Sequence, residues 1–115
     1  MPDVWALPPG GAEWLPRAPM LNARGGCAYG VVFEQLLCAG GAGPRDPDGE
    51  VLRTAERYDP VNDVWSQLED MPEARTGSRG AVVGGRLFIP GGAPTLTFSP
   101  TNTLYAFAFL EFIDP

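Results

Sequence analysis

The 115-residue sequence lacks histidine and lysine entirely, so all eight of its basic residues are arginines. Fourteen acidic residues give a net charge of −6, and no basic run is present. Nucleic acids and anionic membrane surfaces attract clustered positive charge, so this balance argues against both as partners. No apolar run approaches the ~18 residues of a membrane span. The N-terminus shows no signal sequence, so the sequence predicts, by default, a cytoplasmic protein with no membrane segment.

The sequence also offers few candidate ligands for a metal ion or a cofactor. A zinc site needs four ligands, and two cysteines without histidine are too few. Asp46, Asp48 and Glu50 around Gly49 have only part of the spacing of a calcium loop and are more typical of a solvated turn. The glycine-rich stretch 39–44 is not followed by the lysine or serine of a phosphate-binding loop. We therefore expect no metal and no cofactor.

Glycine and proline, in contrast, are abundant, with 15 and 13 residues respectively. They separate short apolar runs and do not form tracts, which is typical of short strands joined by tight turns. Segments 27–32 and 35–39 predict a hairpin turning at Phe33 and Glu34. Segments 80–83 and 86–89 predict a second hairpin over Gly84 and Gly85. No segment has a helical period, so the sequence predicts an all-β fold.

The first predicted hairpin places Cys27 and Cys38 on the same face but in diagonal positions. A disulfide needs the short Cβ separation of directly opposed residues, so this register argues against a bridge. Free cysteines are commonly buried and behave as small apolar residues. We therefore expect both to pack in the interior.

One segment of the chain recurs fifty-one residues later without a gap. The recurring residues are Trp14, Met20, Arg24, Gly26, Leu36 and the triplet 40–42, which reappear as Trp65, Met71, Arg75, Gly77, Leu87 and the triplet 91–93. A period of this length indicates stacked units that bury their apolar faces against each other.

The spaced residues of this unit resemble the kelch repeat, a four-stranded blade of a β-propeller. They are Arg24, Gly40, Gly41, Glu56, Tyr58 and Trp65 in one copy, and Arg75, Gly91 and Gly92 in the next. The resemblance implies structural roles for all of them. The double glycines fit a crowded strand end, the arginines can donate to loop carbonyls, and the two rings can cover a neighbouring unit.

The phase of the repeat predicts four regions. Residues 1–13 form an irregular lead-in, 14–20 a lone outer strand, 21–70 a complete blade, and 71–115 a second blade without its outer strand. The last expectation rests on matching Asp114–Pro115 with Asp59–Pro60. Pro90 stands where an aliphatic residue is usual, and its missing donor predicts that its strand stops one residue early.

Two blades cannot close a propeller, which needs ~4–8. Three alternatives remain open: a fragment of a longer protein, a complete chain that self-associates as three copies of two blades, or the remnant of a broken gene. The resemblance implies a non-enzymatic module that binds protein partners through blade loops. Expected contact residues are Arg45, Asp46, Asp48, Thr97 and Phe98. The alternative is part of a carbohydrate-active or galactose-oxidase-like propeller whose catalytic groups lie in other blades.

Overall fold

The computed structural model describes residues 3–43, 50–95, 100–107 and 112–113, and in these ranges it contains strands and no helix. The strands form three antiparallel sheets. The first sheet is a hairpin of β1 (Val4–Ala6) and β2 (Leu15–Arg17). No helix in the described ranges is long and apolar enough to span a membrane.

Each of the other two sheets has four strands in the order of a propeller blade. Blade 1 contains β3 (Ala28–Val32), β4 (Gln35–Ala39), β5 (Ala55–Asp59) and β6 (Val64–Gln67). Blade 2 contains β7 (Ala81–Val83), β8 (Arg86–Pro90), β9 (Leu104–Phe107) and β10 (Phe112–Ile113). The predicted all-β class is confirmed, as a partial propeller.

Both predicted hairpins are confirmed. In blade 1, Phe33 and Glu34 form the turn with φ values of 49° and 63°. In blade 2, Gly84 and Gly85 form it with φ values of 59° and 76°. Positive φ at both central residues suits the right-handed twist of the flanking strands. Glycine adopts this conformation without the steric cost that Phe33 and Glu34 carry.

The structure differs from the sequence prediction at the N-terminus. Residues 4–6 of the expected irregular lead-in are strand β1, and β2 is therefore paired, not a lone strand. Trp5 lies opposite Pro16 in this pairing. Three residues between prolines are too few to show the alternation from which a strand is predicted, so the pairing became visible only in three dimensions.

The expectation of a missing outer strand in blade 2 is also wrong, because β10 pairs with β9. The error lay in the assumed phase of the repeat. Phe107 lies opposite Leu87 as Tyr58 lies opposite Leu36, so the third strand arrives earlier than the fifty-one-residue offset predicts. That shift leaves enough chain for a short fourth strand.

Pro90 does not shorten β8, contrary to expectation, and it lies opposite Leu104 in the ladder. The N–H of the next residue, Gly91, donates to the Thr103 carbonyl on the β9 side. The ring nitrogen of Pro90 therefore faces the β7 side, where pairing has already ended at Ala81 and Phe88. A proline is tolerated there because no donor is needed.

Two apolar clusters hold the three sheets together. The larger cluster joins the blades, and its members are Ala28, Val32, Leu37, Ala39, Ala55, Leu68, Met71, Leu87, Ile89 and Tyr105. The smaller cluster joins blade 1 to the N-terminal segment, with Cys38, Tyr58 and Trp65 at its centre. Gly30 permits close approach between the blades, since a Cβ there would lie 2.6 Å from a Val82 methyl carbon.

Candidate interaction rim

The segments that precede the first strand and follow the second strand of each blade meet along one edge. We call residues 24–27, 40–43, 75–79 and 91–93 the glycine rim. Within blade 1, Gly25 bridges to Ala42, and within blade 2, Thr76 bridges to Ala93. Between blades, the Gly41 N–H donates to the Arg75 carbonyl at 2.7 Å. The rim is therefore one hydrogen-bonded surface spanning both blades.

The double glycines allow this close backbone contact. All four have positive φ, from 59° at Gly91 to 92° at Gly41. A Cβ at Gly40 would collide with the Arg75 carbonyl oxygen, and one at Gly92 would lie 2.8 Å from that of Thr76. Both conformation and space therefore require glycine.

Two loops leave the rim, one from each blade, and each is closed at its base by a backbone hydrogen bond. The Gly43 N–H donates to the Glu50 carbonyl at 2.8 Å, and the Thr101 N–H donates to the Gly92 carbonyl at 2.9 Å. The predicted contact residues Arg45, Asp46, Asp48, Thr97 and Phe98 belong to these loops and lie outside the described residues.

Arg24 and Glu56 form a fully buried ion pair under the rim in blade 1, with an N–O distance of 2.8 Å. Arg24 also donates to the carbonyl oxygens of Gly40 and Thr54, at 2.8 and 2.9 Å. Its second amino group additionally reaches the Thr54 hydroxyl. The guanidinium thereby ties the double glycine to the start of β5, which fits the loop-holding role implied by the repeat.

Glu56 also fixes the chain that enters the blade. Its two carboxylate oxygens accept the backbone N–H groups of Leu21 and Asn22, at 2.7 and 3.0 Å. A carboxylate with this many charge-assisted donors is satisfied despite complete burial. These contacts favour a positioning role for Glu56 and do not suggest acid–base chemistry.

Arg75 occupies the corresponding place in blade 2 but has different partners. It donates to the Thr103 hydroxyl at 2.8 Å, the Ala74 carbonyl at 2.7 Å and the Glu73 carboxylate at 3.2 Å. Its guanidinium carbon also lies 5.2 Å from the centre of the Tyr105 ring, a cation–π distance. Tyr105 stands opposite Ile89, as Glu56 stands opposite Cys38.

Tyr58 and Trp65 cover the N-terminal segment on the outer side of blade 1. Their ring centroids are 4.9 Å apart, and the Trp65 indole N–H donates to the Ala18 carbonyl at 2.8 Å. The Tyr58 hydroxyl donates to Asp63 at 2.6 Å and accepts from Arg17 at 2.8 Å. The Tyr58 hydroxyl, the Ala18 N–H and the Arg17 charge together lower the pKa of Asp63.

An open cavity of about 390 Å³ lies on the rim between the blades. Its lining residues are Gly26, Cys27, Tyr29, Gly77, Ser78 and Arg79. The Ser78 hydroxyl is buried, and no atom in the described part of the chain is its hydrogen-bond partner. Sequence reasoning did not predict this cavity, although the repeat places Gly26 and Gly77 in matching positions before the two first strands. Within the described ranges, no group of three or more acidic or cysteine side chains could hold a metal ion.

The fold and its rim define the class of protein, which is a partial β-propeller built from repeated four-stranded blades. Residues 23–72 match the family model described as the kelch motif, so the chain belongs to the kelch-repeat proteins.

Several curated proteins are similar to this chain in sequence. The chain is 36% identical to alpha-scruin of Limulus polyphemus over 72% of its length, and 34% identical to Kelch-like protein 15 of Danio rerio over 86%. It is 38% identical over 68% of its length to the influenza virus NS1A-binding protein homolog of Mus musculus. These matches span 9%, 15% and 12% of the relatives, so the chain corresponds to a small part of each.

A solved structure described as that of YjhT superposes with a TM-score of 0.81. The match covers 99% of this chain and 38% of that one, at 16% sequence identity. A likeness at that identity establishes the fold.

Proposed function

We propose that the chain is a non-enzymatic protein-interaction module that binds its partner on the glycine rim, through the loops 44–49 and 96–99. The observation that carries this proposal is that both loops leave the same rim from equivalent places, and that a backbone hydrogen bond closes each base. An anchored base limits the conformations of a loop and so reduces the entropy lost when it binds. Loops on a rigid scaffold commonly supply recognition residues.

The surroundings of the loops support the same role. The cavity between the blades lies on this rim, with the exposed Tyr29 and Arg79 at its border. Tyrosine and arginine are enriched at protein interfaces, where they combine a large contact area with directional donors. The family relationship adds to the proposal, since one relative is named for the protein it binds.

A quantitative affinity-capture comparison tests the proposed surface. The rim variants are Arg45→Ala with Asp46→Ala and Asp48→Ala, and separately Thr97→Ala with Phe98→Ala. The control is Val61→Ala, which changes an exposed turn residue of blade 1 away from the rim. We expect proteins captured by the wild-type chain to be lost at least tenfold with a rim variant and retained with the control.

Each captured protein would then be purified and titrated directly against the same four chains. The proposed surface would be contradicted if the rim variants bound a purified partner as tightly as the wild-type chain does. It would also be contradicted if the wild-type chain and the rim variants captured the same proteins in equal amounts.

We further propose that the two blades act as part of a closed ring. The remaining blades would come from additional chain or from other copies, as in a trimer of two-blade units. Sedimentation at micromolar concentration separates these cases. A threefold mass supports self-closure, a stable monomer excludes it, and concentration-dependent aggregation indicates that the blade faces need other blades to cover them.

A further inference from the structure

Cys27 and Cys38 are neighbours in space, although the hairpin register places them diagonally. Cys38 lies in β4 opposite Tyr29, two residues after Cys27. Both thiols are free, and Cys27 packs against the small apolar cluster that contains Cys38. The ionisation of each thiol is also influenced by the other. Cys27 and Cys38 therefore belong to one packed cluster of side chains on the same face of blade 1.

The two thiols differ in access to solvent. Cys27 is half-buried and lines the open cavity of the rim, whereas Cys38 is 6% exposed. A small solute that enters the cavity can therefore meet Cys27 first. Cys38 lies behind it, between β3 and β5, and is shielded from direct attack.

The electrostatic surroundings also separate the thiols. The hydrogen bond from Cys38 lowers the pKa of Cys27 to about 7, and the Arg24 charge acts in the same direction. Burial and the charge of Glu56 oppose this effect. For Cys38, the hydrogen bond to Cys27 and burial raise the pKa. The accessible member of the pair is therefore the one whose pKa is lowered.

We propose that Cys27 and Cys38 form a peroxide-responsive cysteine pair, in which Cys27 on the rim is oxidised first and buried Cys38 then closes a reversible disulfide. The oxidant is hydrogen peroxide or an organic hydroperoxide. The Cys27 thiolate attacks one peroxide oxygen, the O–O bond breaks, and the products are a sulfenic acid on Cys27 and hydroxide or alkoxide. The Cys38 sulfur then attacks the Cys27 sulfur, and its thiol proton leaves with the sulfenic hydroxyl as water.

The second step becomes easier after the first. The hydrogen bond that Cys38 donates to Cys27 and the negative charge on Cys27 both hold the Cys38 proton in place. Oxidation of Cys27 removes that charge, so Cys38 can ionise more readily. The diagonal register argues against relaxed disulfide geometry, and strained disulfides are more easily reduced. The diagonal register thus argues against a permanent disulfide and favours one that is easily reduced.

The first test is oxidation of the wild-type chain at pH 7 with a small molar excess of hydrogen peroxide and, separately, of tert-butyl hydroperoxide. Intact mass and peptide mapping should show the loss of two hydrogens and a Cys27–Cys38 linkage, which dithiothreitol reverses. Two unlinked thiols after this treatment, with either peroxide, would overturn the proposal. A linkage between two different chains would overturn it as well.

Variants separate the two roles. Cys38→Ser should accumulate a sulfenic acid on Cys27 that dimedone traps, while Cys27→Ser should leave Cys38 largely unmodified under the same conditions. Circular dichroism of each variant checks that it keeps the wild-type fold. Equal modification of Cys38 in folded Cys27→Ser would contradict the assigned order.

Alkylation of the unmutated, reduced chain gives a readout that does not depend on the folding of a variant. Labelling of Cys27 by iodoacetamide should rise with pH around a midpoint below that of an ordinary cysteine thiol, because the pKa of Cys27 is lowered. At pH 7 it should exceed that of an unperturbed thiol by roughly fivefold, once the lower nucleophilicity of an acidic thiol is included. A midpoint at the ordinary thiol pKa would show that Cys27 is not activated.

Discussion

The two blades share a backbone plan, yet they neutralise their buried arginines with different chemistry. In blade 1, Arg24 meets the carboxylate of Glu56, which is itself completely buried. In blade 2, Arg75 lies against the ring of Tyr105, and the carboxylate that it contacts, Glu73, is 60% exposed. One blade contains a closed ion pair, whereas the other contains a cation whose countercharge is partly in water.

The residues that precede each blade explain why Arg24 and Arg75 have different partners. Glu56 accepts the N–H groups of Leu21 and Asn22, and the repeat places Pro72 where Leu21 would be. Proline has no N–H, so a buried glutamate at position 105 would lose one of its donors. Tyr105 needs fewer donors, and its ring still attracts the cation. Pro72 and Tyr105 are therefore compatible with each other, as are Leu21 and Glu56.

The largest expected effect comes from the ring pair of blade 1. Trp65→Ala or Tyr58→Ala should destabilise the chain by about 3–5 kcal/mol, because each removes a buried ring that packs the N-terminal hairpin onto β5 and β6. Trp14→Ala is the matched control, since Trp14 is 61% exposed while Trp65 is 6% exposed. We expect less than ~0.5 kcal/mol for the control. Urea unfolding measures all three, and unchanged midpoints for the two ring variants would refute the packing role.

The buried arginines provide the next test. Glu56→Gln should cost about 2–3 kcal/mol, because it leaves the Arg24 charge buried without a countercharge. Tyr105→Phe removes the weak 3.5 Å hydrogen bond to Arg75 and retains the ring and its cation–π contact, so we expect less than ~1 kcal/mol. Denaturant unfolding of the two variants measures the contrast. Equal losses of unfolding free energy in the two variants would show that blade 2 depends on Tyr105 as strongly as blade 1 depends on Glu56.

A double-mutant cycle tests whether position 72 determines the chemistry at position 105. Tyr105→Glu alone should be strongly destabilising, because Pro72 cannot donate to the new carboxylate. Adding Pro72→Leu should recover about 1–2 kcal/mol beyond the sum of the single effects. Free energies of unfolding for the four chains give this coupling. Strict additivity of the two single effects would mean that positions 72 and 105 are not energetically coupled.

The smallest expected effect concerns the hairpin turns. Glu34 has φ of 63° in blade 1, where blade 2 has glycine. Glu34→Gly should stabilise the chain by about 0.5–1 kcal/mol, since relief of the left-handed strain exceeds the added flexibility of the unfolded chain. Gly85→Ala should act in the opposite direction, because it introduces the same strain at φ of 76°. Thermal melting compares them, and a lower melting temperature for Glu34→Gly would contradict the argument.

Sequence reasoning predicted the parts of this fold that depend on local pattern. The hairpin over Phe33 and Glu34 followed from the apolar runs on both sides of it, and the repeat led to the kelch family. It failed for β1, which is too short to show a period, and for β10, where the repeat slips out of phase. Predictions of the contact loops remain predictions, because residues 44–49 and 96–99 lie outside the described part of the chain.

The sequence by itself determined the all-β class, the blade repeat and the placement of glycine at four crowded strand ends, because each of these can be seen in the pattern of residues along the chain. Only the tertiary structure decided which groups meet across the sheets. The proximity of Cys27 to Cys38 and the exchange of Glu56 for Tyr105 under an arginine depend on strand register and packing between blades. Register is a long-range property. If the pairing of a strand shifted by one residue, the side chains of that strand would turn to the opposite face of the sheet.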